Sequence, residues 1–307
     1  MCFTHCLVSL AVVVVLCAGG FSEVELLKIW KGLFYCQWMQ DMPVLQEELS
    51  TKISALLHSF RTVDSQLLYF KTFLQTMKRE WNGIDRLRMD KFFQLVRFVF
   101  REMFKMLRRQ DWKSSLVNEF LELISEELLQ SSSSAPPGLV LHILDLYMTE
   151  LAVVGSDMLT AQQNLTLIEP FCKTLAKTKD RVLLKAIGSN IFNTIVDQVP
   201  YAIEDLLREI QESGSERDRM NRVDEDDDDQ EEDSGVVQDD LSDMKDVKGH
   251  GECGPVLQFD YGAVADRLFQ LASLTYIPSF NRSKIYKFVK IFRDLAEGVF
   301  PQDEMEE

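Results

Sequence analysis

Apolar residues return every three or four positions through most of this chain, and polar or Pro/Gly breaks cut the pattern roughly every twenty residues. One face of a helix requires that spacing. A half-buried strand requires period two, which no clear run shows. The most apolar stretch is Glu25–Gln40. Leu27, Trp30, Phe34 and Trp38 form one row and Leu26, Ile29, Leu33 and Cys36 a second, leaving Glu25, Lys28, Lys31 and Gly32 as a narrow wet side. A helix this apolar needs cover on two sides.

The chain after it supplies helices in succession. Beyond the Asp41-Met42-Pro43 break the spacing predicts a helix over Val44–Phe60, then one capped by Asp64 and stopped by Asn82-Gly83. Ile84–Arg109 is the longest candidate. Trp112–Gln130, Leu139–Val154, Thr160–Lys177 (with a bend at Pro170), Asp180–Val199 and Tyr201–Gln211 follow. The pattern stops between Glu212 and Gly254 and resumes with Val264–Leu274 and Lys284–Ala296, each strongly apolar on one side. The fold class this predicts is all-α: a HEAT- or armadillo-like helical stack with a disordered acidic insert. An irregular helical bundle is the alternative. The predicted organisation is an apolar N-terminal segment (1–20), a helical-repeat core (21–211), the insert (212–254) and C-terminal helices (255–307) that dock on the core.

Charge sharpens this division. The chain's formal net charge is −16, but residues Gln211–Glu252 hold 17 Asp/Glu against 5 Lys/Arg and so account for −12 of it. Asp224–Asp233 repels itself and has no apolar anchor, which predicts disorder. The remainder is a near-neutral body that does not exclude nucleic acid. The insert reads as a solubilising linker or as a mimic of nucleic acid that holds basic partners.

Cysteine and histidine add little chemistry. The six cysteines and four histidines show no metal-ligand spacing and no disulfide framework, which predicts a reducing compartment. Leu7–Gly20 points the other way, because an apolar run with a small-residue exit resembles a signal peptide. Asn164-Leu165-Thr166 and Asn281-Arg282-Ser283 fit the glycosylation pattern. A secreted or luminal helical protein therefore stands as one function class. No phosphate loop, nucleophile elbow or His-Glu-x-x-His occurs, so the expectation is no enzyme, no cofactor and no metal.

Basic rows carry the candidate binding chemistry. Arg97, Arg101, Lys105 and Arg108 share one face of the longest helix, and Lys284, Lys287, Lys290 and Arg293 spread over an arc of the last. Either could run along a phosphate backbone, be a solvated helix side, or pair with a neighbouring helix's carboxylates. Trp30, Trp38, Trp81, Phe92 and Phe288 lie in apolar rows and are expected in the core. Phe93, Phe98, Phe100 and Phe104 leave the longest helix apolar on more than one side, which predicts deep burial or a protein-binding surface.

Six ordered blocks carry a resemblance. Glu25–Ser50, Arg79–Phe92, Glu169–Cys172, Ala202–Leu207, Gly254–Tyr261 and Phe300–Glu304 resemble the eukaryotic nucleolar ribosomal RNA-processing protein 1 family, in order, with an acidic insert before the GPVLQFDY block. The resemblance implies a non-catalytic assembly factor of the large ribosomal subunit, acting in nucleolar pre-60S particles during precursor rRNA processing. Its implied partners are large-subunit assembly factors, ribosomal proteins and precursor rRNA, with no membrane. Two features depart from the family. Met1–Gly20 replaces a polar, basic segment, which points to an alternative first exon or a gene-model error. The chain also stops at Glu307, where many members continue into a Lys-rich tail. A protein-only adaptor without RNA contact is the remaining alternative.

Overall fold

The computed structural model describes residues 20–130, 134–204 and 255–300. Every regular element among them is helical, so the chain is all-α. The N-terminal segment up to residue 19, the acidic insert and the chain beyond residue 300 lie outside the described residues. Two compact units are distinguished. One contains the helices between residue 20 and Asp197 together with the chain from Leu257. Of the other, Gln198–Val256, residues 199–204 are helical.

Local chemistry sets the helix ends. α1 (Glu23–Met39) starts with a capping box in which Ser22 and Glu25 satisfy each other's backbone N–H. α2 (Pro43–Ala55) has Pro43 at its first position, where a missing N–H costs nothing. α3 (Val63–Glu80) is capped by Thr62 rather than Asp64, which falls in the first turn. It ends in a 3-10 turn, Trp81–Gly83, and not in a left-handed glycine. α4 (Met89–Arg109) begins five residues later than the apolar spacing predicts. The Asp85 carboxylate accepts from the Arg88 N–H at 3.1 Å and holds that stretch as a turn. α5 (Ser114–Ile124) runs into a π-turn at Ser125–Leu129. α6 is Pro137–Gly155 and α7 is Ala161–Lys177, the latter with a second capping box from Thr160 and Gln163. Asp180 caps α8 (Arg181–Ile187), which passes through a π-turn at Gly188–Asn193 into α9 (Thr194–Asp197). α10 (Tyr261–Ala272) and α11 (Ser279–Ala296) complete the described helices.

Packing in the first unit follows the order of the helices. α1 contacts α3 and α3 the end of α5, while α5 contacts α7; α2 contacts α4, α4 contacts α6 and α6 contacts α8. Odd and even helices thus line up as two rows. α4 has α2 on one side and α6 on the other, and Phe92, Leu95, Phe100, Met103 and Phe104 are all fully buried. Phe100 and Phe104, two of the four extra aromatics on this helix, are therefore core residues.

The opening helix is buried along Leu26, Trp30, Leu33 and Phe34, whereas Leu27, Ile29, Cys36 and Trp38 of the two predicted rows are only half-buried and Val24, Tyr35 and Met39 are exposed. Trp30 is fully buried, and its indole N–H donates to the Tyr69 carbonyl at 3.0 Å. The Tyr69 hydroxyl donates in turn to the Ile53 carbonyl at 3.0 Å, which ties α1, α2 and α3 together. Phe34 stacks on Phe92 with ring centroids 4.7 Å apart. At the far end Lys91 is buried and donates to the carbonyls of Trp38 and Gln40 at 2.7 and 2.6 Å. A cation belongs there, because the last carbonyls of a helix carry its negative end. α6 is long and apolar enough to cross a membrane, but 67% of the relevant window is buried, which makes it a core helix of this unit.

α7 receives α10 and α11 through polar stitches. Arg267 forks onto Glu169. Asn281 is buried, and its side-chain amide donates to the carbonyls of Leu175, Ala176 and Thr178 at 3.1, 3.1 and 2.7 Å. The fully buried Asn164 amide donates to the Gln258 carbonyl at 2.7 Å. Both glycosylation-pattern asparagines thus use their amide nitrogens inside the fold.

Candidate nucleic-acid interface

The α4 row lies on one side of the helix as its spacing predicts, with Arg97, Arg101 and Arg108 directed at α6 and Lys105 paired within α4. Arg101 forks onto Glu150 with contacts of 2.6 and 3.1 Å, and Arg97 approaches the same carboxylate at 3.4 Å. The Glu150 side chain is only 1% exposed. Arg108 donates to the Val154 carbonyl at 2.7 Å and to Asp157 at 2.6 Å, at the negative end of α6. Lys105 pairs with Glu102 at 2.8 Å, and Glu102 also bonds His58 at 2.7 Å. Burial alone would raise the Glu102 pKa, but the bonds from His58 and Lys105 outweigh it and lower it to about 2. This row is a polar seam between helices. Its arginines keep 31–41% of their side chains in solvent.

The α11 row is arranged differently. Lys284, Lys287, Lys290 and Arg293 are all exposed, and the three lysines have no ion pair among the described residues. Arg293 lies over the Phe269 ring at 5.2 Å and 3.9 Å from Asp266. Phe269 and Tyr286 are each 42% exposed, with ring centroids 6.1 Å apart. A shallow groove of 460 Å³ beside Tyr286 is lined by Ser279, Arg282, Ser283, Tyr286, Lys287 and Lys290. Arg282 is committed: it donates to the Ala272 and Leu274 carbonyls and closes the end of α10.

Helical spacing found the cations but missed the two rings. Val264, Leu268 and Leu271 are buried on the inner side of α10. Of the row Ile285, Phe288, Val289, Phe292 and Leu295 that spacing marks as the inner face of α11, all are buried except Phe288, which is half-buried beside Phe192. Phe269 and Tyr286 fall outside those faces, and that was the available signal. Their meeting across two helices has no signature in the sequence. The remaining extra aromatics of α4 are partly covered: Phe93 packs on Trp81 and His142, and Phe98 lies under the Arg101 guanidinium at 5.5 Å. An apolar cleft of 430 Å³ between α6 and α8, with Lys179 and Asp180 in its lining, gathers no reactive set of side chains. Among the described residues no three His, Cys, Asp or Glu side chains are grouped to hold a metal.

Fold and surface together define an all-helical protein whose distinctive chemistry is displayed on helix faces. A family model described as the nucleolar protein Nop52 matches residues 9–289. Human ribosomal RNA processing protein 1 homolog A is 46% identical over 303 residues, covering 94% of this chain and 66% of the relative. Human homolog B is 43% identical, covering 91% and 39%. The Drosophila melanogaster homolog is 28% identical, covering 92% and 42%. The chain thus spans between two fifths and two thirds of the length of these relatives. It belongs to the Nop52 family of nucleolar proteins.

Proposed function

We propose that this chain is a non-catalytic scaffold for assembly of the large ribosomal subunit, acting in the nucleolus on early pre-60S particles during precursor rRNA processing. Membership of the Nop52 family carries this reading, together with the names of relatives that match over nine tenths of the chain. Its ligands in this account are large-subunit assembly factors, ribosomal proteins and precursor rRNA. The scaffold is a HEAT- or armadillo-like stack, a reading supported by the two rows of alternating helices. In the same account 21–211 is the core, 212–254 an acidic disordered insert and 255–307 the C-terminal helices. Of the two basic rows, Lys284, Lys287, Lys290 and Arg293 are the better placed for a polyanion, because Arg97, Arg101, Lys105 and Arg108 already have acceptors.

Depleting the protein and probing precursor RNAs by northern blot tests the role. Spacer-containing intermediates should accumulate, and an unchanged pattern would overturn it. A second reading, a protein-only adaptor, is favoured by the pairing of the α4 row with Glu150, Glu102 and Asp157. Reversing Arg97, Arg101, Lys105 and Arg108 to Glu and measuring RNA crosslinking of a variant shown by circular dichroism to be folded separates the two. An undiminished yield removes α4 from any RNA contact.

A further inference from the structure

We infer that the outer face of α10 and α11 binds an unpaired stretch of RNA, stacking a base against Tyr286 and Phe269 and holding neighbouring phosphates with Lys287, Lys290 and Arg293. The inference rests on the assembly role proposed above and adds a ligand class to one face of the molecule.

Three observations converge on it. Tyr286 and Phe269 keep 42% of their surface in water although each sits beside a well-packed apolar row, so the rings are left over from the core. Cations lie nearby: Lys287 and Lys290 are exposed and without an ion pair among the described residues, and the Arg293 guanidinium carbon lies over the Phe269 ring, 5.2 Å from its centroid. Tyr286, Lys290 and Arg293 follow one ridge of α11, spanning about 10 Å along the helix at 1.5 Å per residue. The groove beside Tyr286 gives a base room to approach. Asp266, 3.9 Å from Arg293 and itself 72% exposed, is the nearest opposing charge and offsets part of the attraction.

The chemistry selects among partners. A protein interface core is depleted of lysine, yet lysines flank these rings. A-form duplex RNA presents 2′-hydroxyls and phosphates but hides the faces of its bases, so it would use the lysines and leave the rings idle. An unpaired strand uses both, because every base has a face to stack and every phosphate releases counterions when contacted.

The test is fluorescence anisotropy of the full chain with a short labelled unpaired oligoribonucleotide and with an RNA duplex of the same length. The unpaired strand should bind more tightly. Tyr286→Ala and Phe269→Ala should each weaken it by about tenfold, with Tyr286→Phe restoring the affinity. Lys287→Glu with Lys290→Glu should reduce the salt slope by about 1.4, two phosphate contacts' worth on a single strand. All four side chains are at the surface, and circular dichroism of each variant checks that it folds. The lysine pair keeps the test decisive if a ring variant does not. Wild-type affinity in the ring variants, equal or tighter binding of the duplex, or capture of protein by this face without RNA affinity would each overturn the inference. Because the assay uses purified components, such a failure removes the face and leaves the assembly role to the northern blot.

Discussion

Glu150 sits between Arg97 and Arg101 with almost none of its side chain exposed, and the two ends of the cluster are not equivalent. Removing Arg101 strands a buried carboxylate that has only Arg97 left, at 3.4 Å. Removing the carboxylate's charge leaves two guanidinium groups that water already reaches. Arg101→Ala should therefore cost about 3 kcal/mol in urea unfolding, the low end for breaking a buried pair. Glu150→Gln, which keeps the volume, should cost about 1 kcal/mol. Equal effects would show that the carboxylate is better hydrated than its burial implies. Glu102 gives a pH signature. Its folded pKa is about 2 against an ordinary 4.5, so its contribution is complete above the unfolded value and drains as pH falls toward 2. The stability advantage of wild type over Glu102→Gln should shrink steadily across that window. At this scale the sequence revealed one half of the Arg101–Glu150 contact, whereas both halves of the Lys105–Glu102 pair are local. The spacing of Arg97, Arg101, Lys105 and Arg108 is local, whereas Glu150 lies 49 residues beyond Arg101 and nothing near it marks it as a partner.

Helices show the same division between local and distant causes. Pro43, Thr160 with Gln163, and Asp180 mark helix starts by chemistry contained in a few neighbouring residues, and these starts were legible. Asp64 was not the cap because Thr62, two residues earlier, offers its hydroxyl to the Ser65 N–H. Two glycines make the contrast measurable. Gly32 lies on the exposed side of α1, where an added Cβ meets nothing within 4 Å. Gly32→Ala should stabilise the protein by about 0.5–1 kcal/mol, through the backbone entropy that glycine forfeits in a helix. Gly155 ends α6, where a Cβ would fall 2.5 Å from Leu159 and 2.9 Å from the Trp112 ring. Gly155→Ala should destabilise by about 1 kcal/mol, because overpacking a filled site outweighs the same propensity gain. Thermal melts of the two variants should move in opposite directions. Trp112 cannot readily yield: it is buried, with φ of 50° in a left-handed pair with Asp111 at 53°. Helical spacing gives no hint of that turn.

For the whole molecule, the all-α class and the order of helices followed from spacing, whereas the arrangement of helices in two rows depends on which faces meet. The buried state of Asn164 and Asn281 belongs to this larger scale. By pattern each asparagine is a glycan acceptor; by structure each spends that amide nitrogen on carbonyls of other segments of the chain. A sugar attached during synthesis would have to be buried or would pull both segments apart. The fold and the modification are therefore mutually exclusive, and the chain is compatible only with compartments that leave those nitrogens bare. Routed experimentally through the secretory pathway, it should emerge glycosylated and unfolded. Ser283→Ala combined with Thr166→Ala removes both acceptor patterns without touching either asparagine, and should restore a compact, protease-resistant product. If the wild-type chain instead carries glycans at both positions and resists protease equally well, the stitches at α7 are dispensable.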